Sequence, residues 1–217
     1  MPFIDLVFGA DKAFLENVAV RKRVDDLGFK GHFTNGEERS FATMEFSLQD
    51  FTSKLEEGNF TANLFVKNFN EPEVDLELHT DFNLEFLAQF FNLPDIKNPS
   101  GKVKLDMRFH DIIDLAHPEK ALNELNQAYF TELNIQNLHL ETPDLPAPID
   151  HLDVRLTMNG QRGVLDAFHL QMGSTDLALK GSVSNLPAIV HHTDLPVEVE
   201  LEISAKLLNI AELTGFS

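Results

Sequence analysis

Apolar and polar residues alternate with a period of two along most of the chain. Met44, Phe46 and Leu48 alternate with Glu45, Ser47 and Gln49, and Val103, Leu105, Met107 and Phe109 with Lys102, Lys104, Asp106, Arg108 and His110. Leu152, Val154, Leu156 and Met158 repeat the pattern, as do Phe168, Leu170 and Met172. Successive side chains of a strand point to opposite faces, so such runs cover one face with apolar groups and leave the other in water. That pattern belongs to antiparallel or mixed sheets, since parallel strands are buried on both faces.

The alternation predicts about ten strands, near 3–8, 28–34, 41–50, 60–68, 73–80, 102–110, 131–141, 150–159, 164–172 with 176–184, and 197–205. Phe60, Leu64, Val66, Leu76, Leu78, Leu105, Met107, Phe109, Leu156, Phe168, Leu170, Leu179 and Leu201 are predicted to point to one common side. Val74, Val103, Leu152, Val154, Leu177, Val199 and Ile203 join them, with Asp75, Glu77, Glu198, Glu200 and Glu202 on the other side. Helical signals are short: a stripe of Leu84, Phe86, Leu87, Phe90 and Phe91 over 83–92, Pro118 in the first turn of 118–128, and Asn209 and Asp11 as caps for 210–214 and 12–17.

Residues 58–91 and 173–216 read as one unit written twice. In the first copy Phe60–Val66 precedes Pro72, the run Val74–Leu78 and a helical tail Leu84–Phe90. In the second, Gly173 precedes Asp176–Val183, Pro187 and Pro196 bracket a turn, and Val199–Ile203 leads to the tail Ile210–Phe216. Such a period marks stacked supersecondary units that share one continuous apolar face.

Composition narrows the partners. The 217 residues carry 17 Lys and Arg against 35 Asp and Glu, a formal net charge of −18, which repels a phosphate backbone and argues against nucleic acid. With no Cys there is neither a disulfide frame nor a thiolate metal site, which suits cytoplasm and periplasm equally. No apolar run approaches the roughly 18 residues of a membrane span, and Met1–Pro2 leads into Phe3–Phe8 without a charged leader. Nineteen Phe against one Tyr and no Trp suit a dry interior, because Phe lacks the polar handle that Tyr and Trp bring to wet recognition surfaces.

Candidate chemistry is sparse. His191, His192 and Asp194 suggest a metal, but adjacent residues on a turn point apart and no second ligand cluster has recognisable spacing, so no metal and no cofactor are expected. Most of the nine His fall on the polar phase of strands, where solvation accounts for them. Asp75 with Glu77, and Glu198 with Glu200 and Glu202, lie along water-facing strand surfaces where nothing drives their pKa values apart. There is no phosphate-binding glycine loop, G-x-S-x-G elbow or Walker motif, so no enzyme is expected.

The run Leu165–Leu186, followed by Val197–Ile203 and Leu208–Leu213, resembles the AsmA-like family of bacterial envelope proteins, whose repeats join a strand, a glycine turn, an apolar-x-Gly-x-apolar strand and a short L-x-x-L tail. Gly58–Phe91 looks like another such unit, and Phe130–Pro148 like the strand and turn preceding one. The family's N-terminal membrane anchor has no counterpart in this sequence, as expected of an excised part of a longer chain. The resemblance implies a mainly β fold: a repetitive, one-sided antiparallel or mixed sheet, elongated and curved into an open groove, forming one region over 1–217 with a few short helices. It implies a periplasmic protein tethered to the inner membrane, carrying phospholipid acyl chains towards the outer membrane, with the thirteen residues named first above as the groove lining. The alternative is a periplasmic scaffold or protein-binding module whose apolar stripe is an ordinary closed core, covered by the helices at 83–92 and 118–128.

Overall fold

The computed structural model describes residues 2–112, 129–160, 162–185 and 196–214. They form one mainly β architecture, an eleven-stranded sheet in which every strand pairs antiparallel with its neighbours in sequence. The strands are β1 (Asp5–Asn17), β2 (Lys22–Thr34), β3 (Glu45–Leu55), β4 (Gly58–Lys67), β5 (Glu73–Asn83), β6 (Lys97–Ile112), β7 (Tyr129–Glu141), β8 (Ile149–Asn159), β9 (Arg162–Met172), β10 (Thr175–Val183) and β11 (Val199–Leu207). The sheet does not close: β1 and β11 are its two edges, ten interstrand spacings apart along the sheet, about 48 Å when measured along it. Helix α1 (Leu84–Phe90) joins β5 to β6, α2 (Ile210–Thr214) follows β11, and a 3₁₀ turn spans Phe41–Thr43.

Most strands run longer than the alternation predicts, up to 16 residues in β6, while β10 and β11 keep the predicted length. The reason is a set of bulges at left-handed residues, Lys12 (φ 50), Asp26 (φ 51), Asp50 (φ 52) and Asn137 (φ 51), each beside a break in pairing register. One extra residue reverses the phase of everything beyond it. On β3 the apolar set passes from Phe46 and Leu48 to Phe51 and Leu55 across Asp50, and on β7 from Leu133 and Ile135 to Leu138 and Leu140 across Asn137. The same device overturns the helix expected at 12–17: Asp11 caps nothing, and Ala13–Asn17 continues β1 beyond the Lys12 bulge. The helix expected at 118–128 and the turn containing Pro187, His191, His192 and Asp194 lie outside the described residues.

Directly paired residues share a face, and the register carries one apolar face across the sheet. One row runs Phe60, Thr80, Leu105, Leu133, Leu156, Leu165, Gly181, Leu201 from β4 to β11. A parallel row runs Phe82, Val103, Ile135, Val154, Phe168, Leu179, Ile203. Opposite charges oppose one another on the other face, where Asp75 pairs with His110, Glu77 with Arg108, His79 with Asp106 and Asp81 with Lys104 between β5 and β6. A one-residue slip there would put apolar side chains in water and break these pairs together, so hydrophobic pattern and charge fix the same register.

The repeated unit keeps its order. β4, β5 and α1 correspond to β10, β11 and α2, and in each copy an Asn side chain accepts the second helical N–H: Asn83 from Glu85 (2.9 Å) and Asn209 from Ala211 (3.2 Å). The helices differ in what they cover. α1 folds onto the apolar face and buries Phe86 and Phe90 against Val24 and Leu55, flanked by Phe82 and Leu87, whereas Ile210 of α2 is exposed.

Candidate functional site

Most of the apolar face is left open. On β4–β10 its Leu, Val, Phe and Met side chains are mostly half-buried, and on β11 Val199, Leu201 and Ile203 are exposed. Full burial is confined to patches such as the α1 core and Leu170, Met172 and Leu177. Phe60, Leu64, Val66, Leu76, Leu78, Leu105, Met107, Phe109, Leu156, Phe168, Leu170, Leu179 and Leu201 all lie on this face, and of the acidic residues expected opposite, Asp75, Glu77, Glu200 and Glu202 lie across the sheet from it, while Glu198 precedes β11.

At the end of the face that α1 covers, the surface deepens into a cavity of about 300 Å³ lined by Leu15, Val24, Leu27, Phe51, Ser53, Leu55, Phe60, Phe82, Leu87, Phe90 and Phe91. Ser53 is the one polar residue in that lining. A chain of phenylalanines leads there. Phe46 meets Phe8 (6.3 Å between centroids), Phe8 meets Phe29 (6.1 Å), Phe29 stacks on Phe51 (6.2 Å) and Phe51 meets Phe60 edge-on (5.5 Å). Gly31 makes room for it: a Cβ at that position would enter the Phe8 ring. Of the predicted lining only Phe60 reaches the cavity; Phe46 keeps the apolar phase read from the sequence, whereas Phe29 and Phe51 lie just beyond the bulges at Asp26 and Asp50, where that phase reverses. Beside the cavity Thr80 is buried, and its hydroxyl lacks a hydrogen-bond partner among the described residues.

The opposite face is a lattice of exposed ion pairs. His79 Nδ1 lies 2.7 Å from Asp106 Oδ1, and Lys104 Nζ 3.2 Å from Asp106 Oδ2. Asp106 holds the His79 imidazole above its ordinary pKa, and His79 in turn holds Asp106 below the usual carboxylate range. On β8 and β9 the register sets Asp153 opposite His169, with His151 two residues earlier on the same face. One ligand atom from each of His151, Asp153 and His169 lies within 4.8 Å of the other two. This group joins two strands, so no spacing along the chain announces it.

No family model, curated protein or solved structure matches the chain. No helix among the described residues is long and apolar enough to cross a membrane.

Proposed function

We propose that the chain is a non-enzymatic lipid carrier whose apolar face receives acyl chains and whose cavity under α1 holds a chain end. The observation that carries this reading is the union of a face open across the sheet with a cavity lined almost wholly by carbon. An exposed apolar surface of this extent is unfavourable in water unless something covers it. A flexible, featureless hydrocarbon suits it better than a polar solute, since Ser53 is the one polar residue in the cavity lining. A folded protein partner is the weaker occupant, because the chain has no Trp and a single Tyr, and the strand arginines Arg108 and Arg155 pair on the opposite face. The AsmA-like resemblance supports reading such a carrier as periplasmic, tethered to the inner membrane in its full-length form and serving outer-membrane biogenesis.

The test is mass spectrometry of an organic extract of the purified chain, together with uptake of a fluorescent fatty acid and a fluorescent phospholipid. Retained phospholipid and saturable uptake are expected. Ser53→Leu, which fills the cavity, is expected to lower uptake while the fold persists. A chain that carries no lipid and takes up neither probe overturns the reading in favour of a scaffold.

A further inference from the structure

We propose that His151, Asp153 and His169 form a binding site for a first-row divalent cation, zinc above all, that staples β8 to β9 on the polar face. The three donors already converge. His151 Nε2 lies 2.9 Å from Asp153 Oδ2, the two imidazole centroids are 5.4 Å apart, and all three residues are half-buried. Two imidazoles and one carboxylate match zinc, nickel, cobalt or copper, while calcium and magnesium require sets of oxygens.

Two of the three donors are also oriented from behind. Asp153 Oδ1 accepts the backbone N–H of Asn137 at 2.7 Å, leaving Oδ2 turned to the histidines. His169 Nε2 lies 3.1 Å from Asp176 Oδ1, whose other oxygen accepts from Lys206 Nζ at 2.9 Å. A carboxylate holding one imidazole nitrogen as a donor leaves the second with its lone pair free, the arrangement that supports metal-bound histidines.

The comparison within the molecule sharpens the point. The bulge at Asp50 is braced in the same way, its N–H donating to Asn63 Oδ1 at 2.9 Å, with an amide and no histidine. At the Asn137 bulge a carboxylate takes the amide's place and two histidines flank it. The pairs His32–Asp5, His79–Asp106 and His110–Asp75 each bring one imidazole to carboxylate; among the described residues a second imidazole joins only at β8–β9.

Calorimetric titration of the chelator-treated chain with zinc chloride near pH 7.5 tests the site. One equivalent is expected to bind, with His151→Ala or His169→Ala weakening it at least tenfold, and Asp176→Asn by roughly 10–100-fold. His79→Ala is the control and leaves affinity unchanged. In the unmutated chain, imidazole NMR signals of His151 and His169 are expected to move first on titration. Absence of binding, first movement of other histidines, or equal loss in His79→Ala overturns the assignment. Circular dichroism of each metal-free variant separates lost ligation from lost folding.

Discussion

The carboxylate of Glu212 on α2 accepts hydrogen bonds from the backbone N–H (2.9 Å) and the hydroxyl (2.7 Å) of Thr175, the first residue of β10. The N–H of Ser174 in the preceding hairpin turn donates to the same carboxylate at 3.0 Å. Thr175 is fully buried, and its hydroxyl oxygen also accepts the N–H of Asn209, the residue capping α2. A short helix with an exposed apolar side chain is thereby held to the sheet by polar contacts, where α1 is held by Phe86 and Phe90.

Those donors depress the Glu212 pKa from its ordinary 4.5 to about 2, with the Ser174 N–H as the largest cause. A depressed carboxylate contributes stability that is present above its unfolded pKa and lost as pH falls through the folded one. Glu212→Gln is therefore expected to melt below the unmutated chain at pH 7, and the difference is expected to shrink between about pH 4.5 and pH 2. Thermal melts across that range decide it; a constant gap would place the effect in packing.

Thr80→Val tests the orphaned hydroxyl. Thr80 stands on the apolar face between Phe60 and Leu105, buried and unpartnered among the described residues. Valine keeps the shape and removes the unsatisfied group, so the variant is expected to be more stable by about 1 kcal/mol. Denaturant melts at constant m-value measure this, and a loss of stability would mean that the hydroxyl has a partner in solution.

His79 gives a prediction of opposite sign. Its pKa is raised from 6.5, chiefly by the hydrogen bond to Asp106. The resulting stability is fully present below the unfolded pKa and is lost as pH rises through the folded one. Since 41% of the His79 side chain is exposed, the pair is worth no more than about 1 kcal/mol. NMR titration is expected to place the imidazole midpoint above 6.5 and to lower it in Asp106→Asn; an unchanged midpoint in the variant would remove Asp106 as its cause.

The faces were legible from sequence wherever a strand runs unbroken. Leu76 and Leu78 keep one phase from end to end of β5, and Leu105 and Met107 keep it on β6 beyond the irregular stretch at Lys97–Lys102, so period two assigns them directly. Residues beyond Lys12, Asp26, Asp50 and Asn137 were not, because a left-handed bulge reverses the phase without changing composition. The phenylalanine chain into the cavity crosses such bulges, so its continuity exists only in the paired sheet. His151 and His169 are likewise joined by register alone, 18 positions apart on different strands. The order of the duplicated unit and its Asn209 cap were readable, yet whether the tail helix covers the apolar face depends on Phe86 and Phe90 in one copy and Glu212 in the other.

An open face and a closed core respond differently to charge, and this chain contains both. Phe86, on the inner side of α1, is 3% exposed, so Phe86→Ala leaves a cavity and is expected to cost about 3–5 kcal/mol, enough to lower the melting temperature sharply. Leu105 is half-buried on the same face, flanked by Thr80 and Leu133. A carboxylate there can still reach water, so Leu105→Asp is expected to lose only the apolar contact, about 1–2 kcal/mol. Lipid uptake should fall in the same variant, because an acyl chain lying across the row from Phe60 to Leu201 must pass a charge. The decisive result is the pair of measurements on one protein, a melt close to that of the unmutated chain together with impaired uptake of a fluorescent fatty acid. Outright unfolding of Leu105→Asp would mean that a second layer closes this face in solution, and unimpaired uptake would mean that acyl chains bind elsewhere.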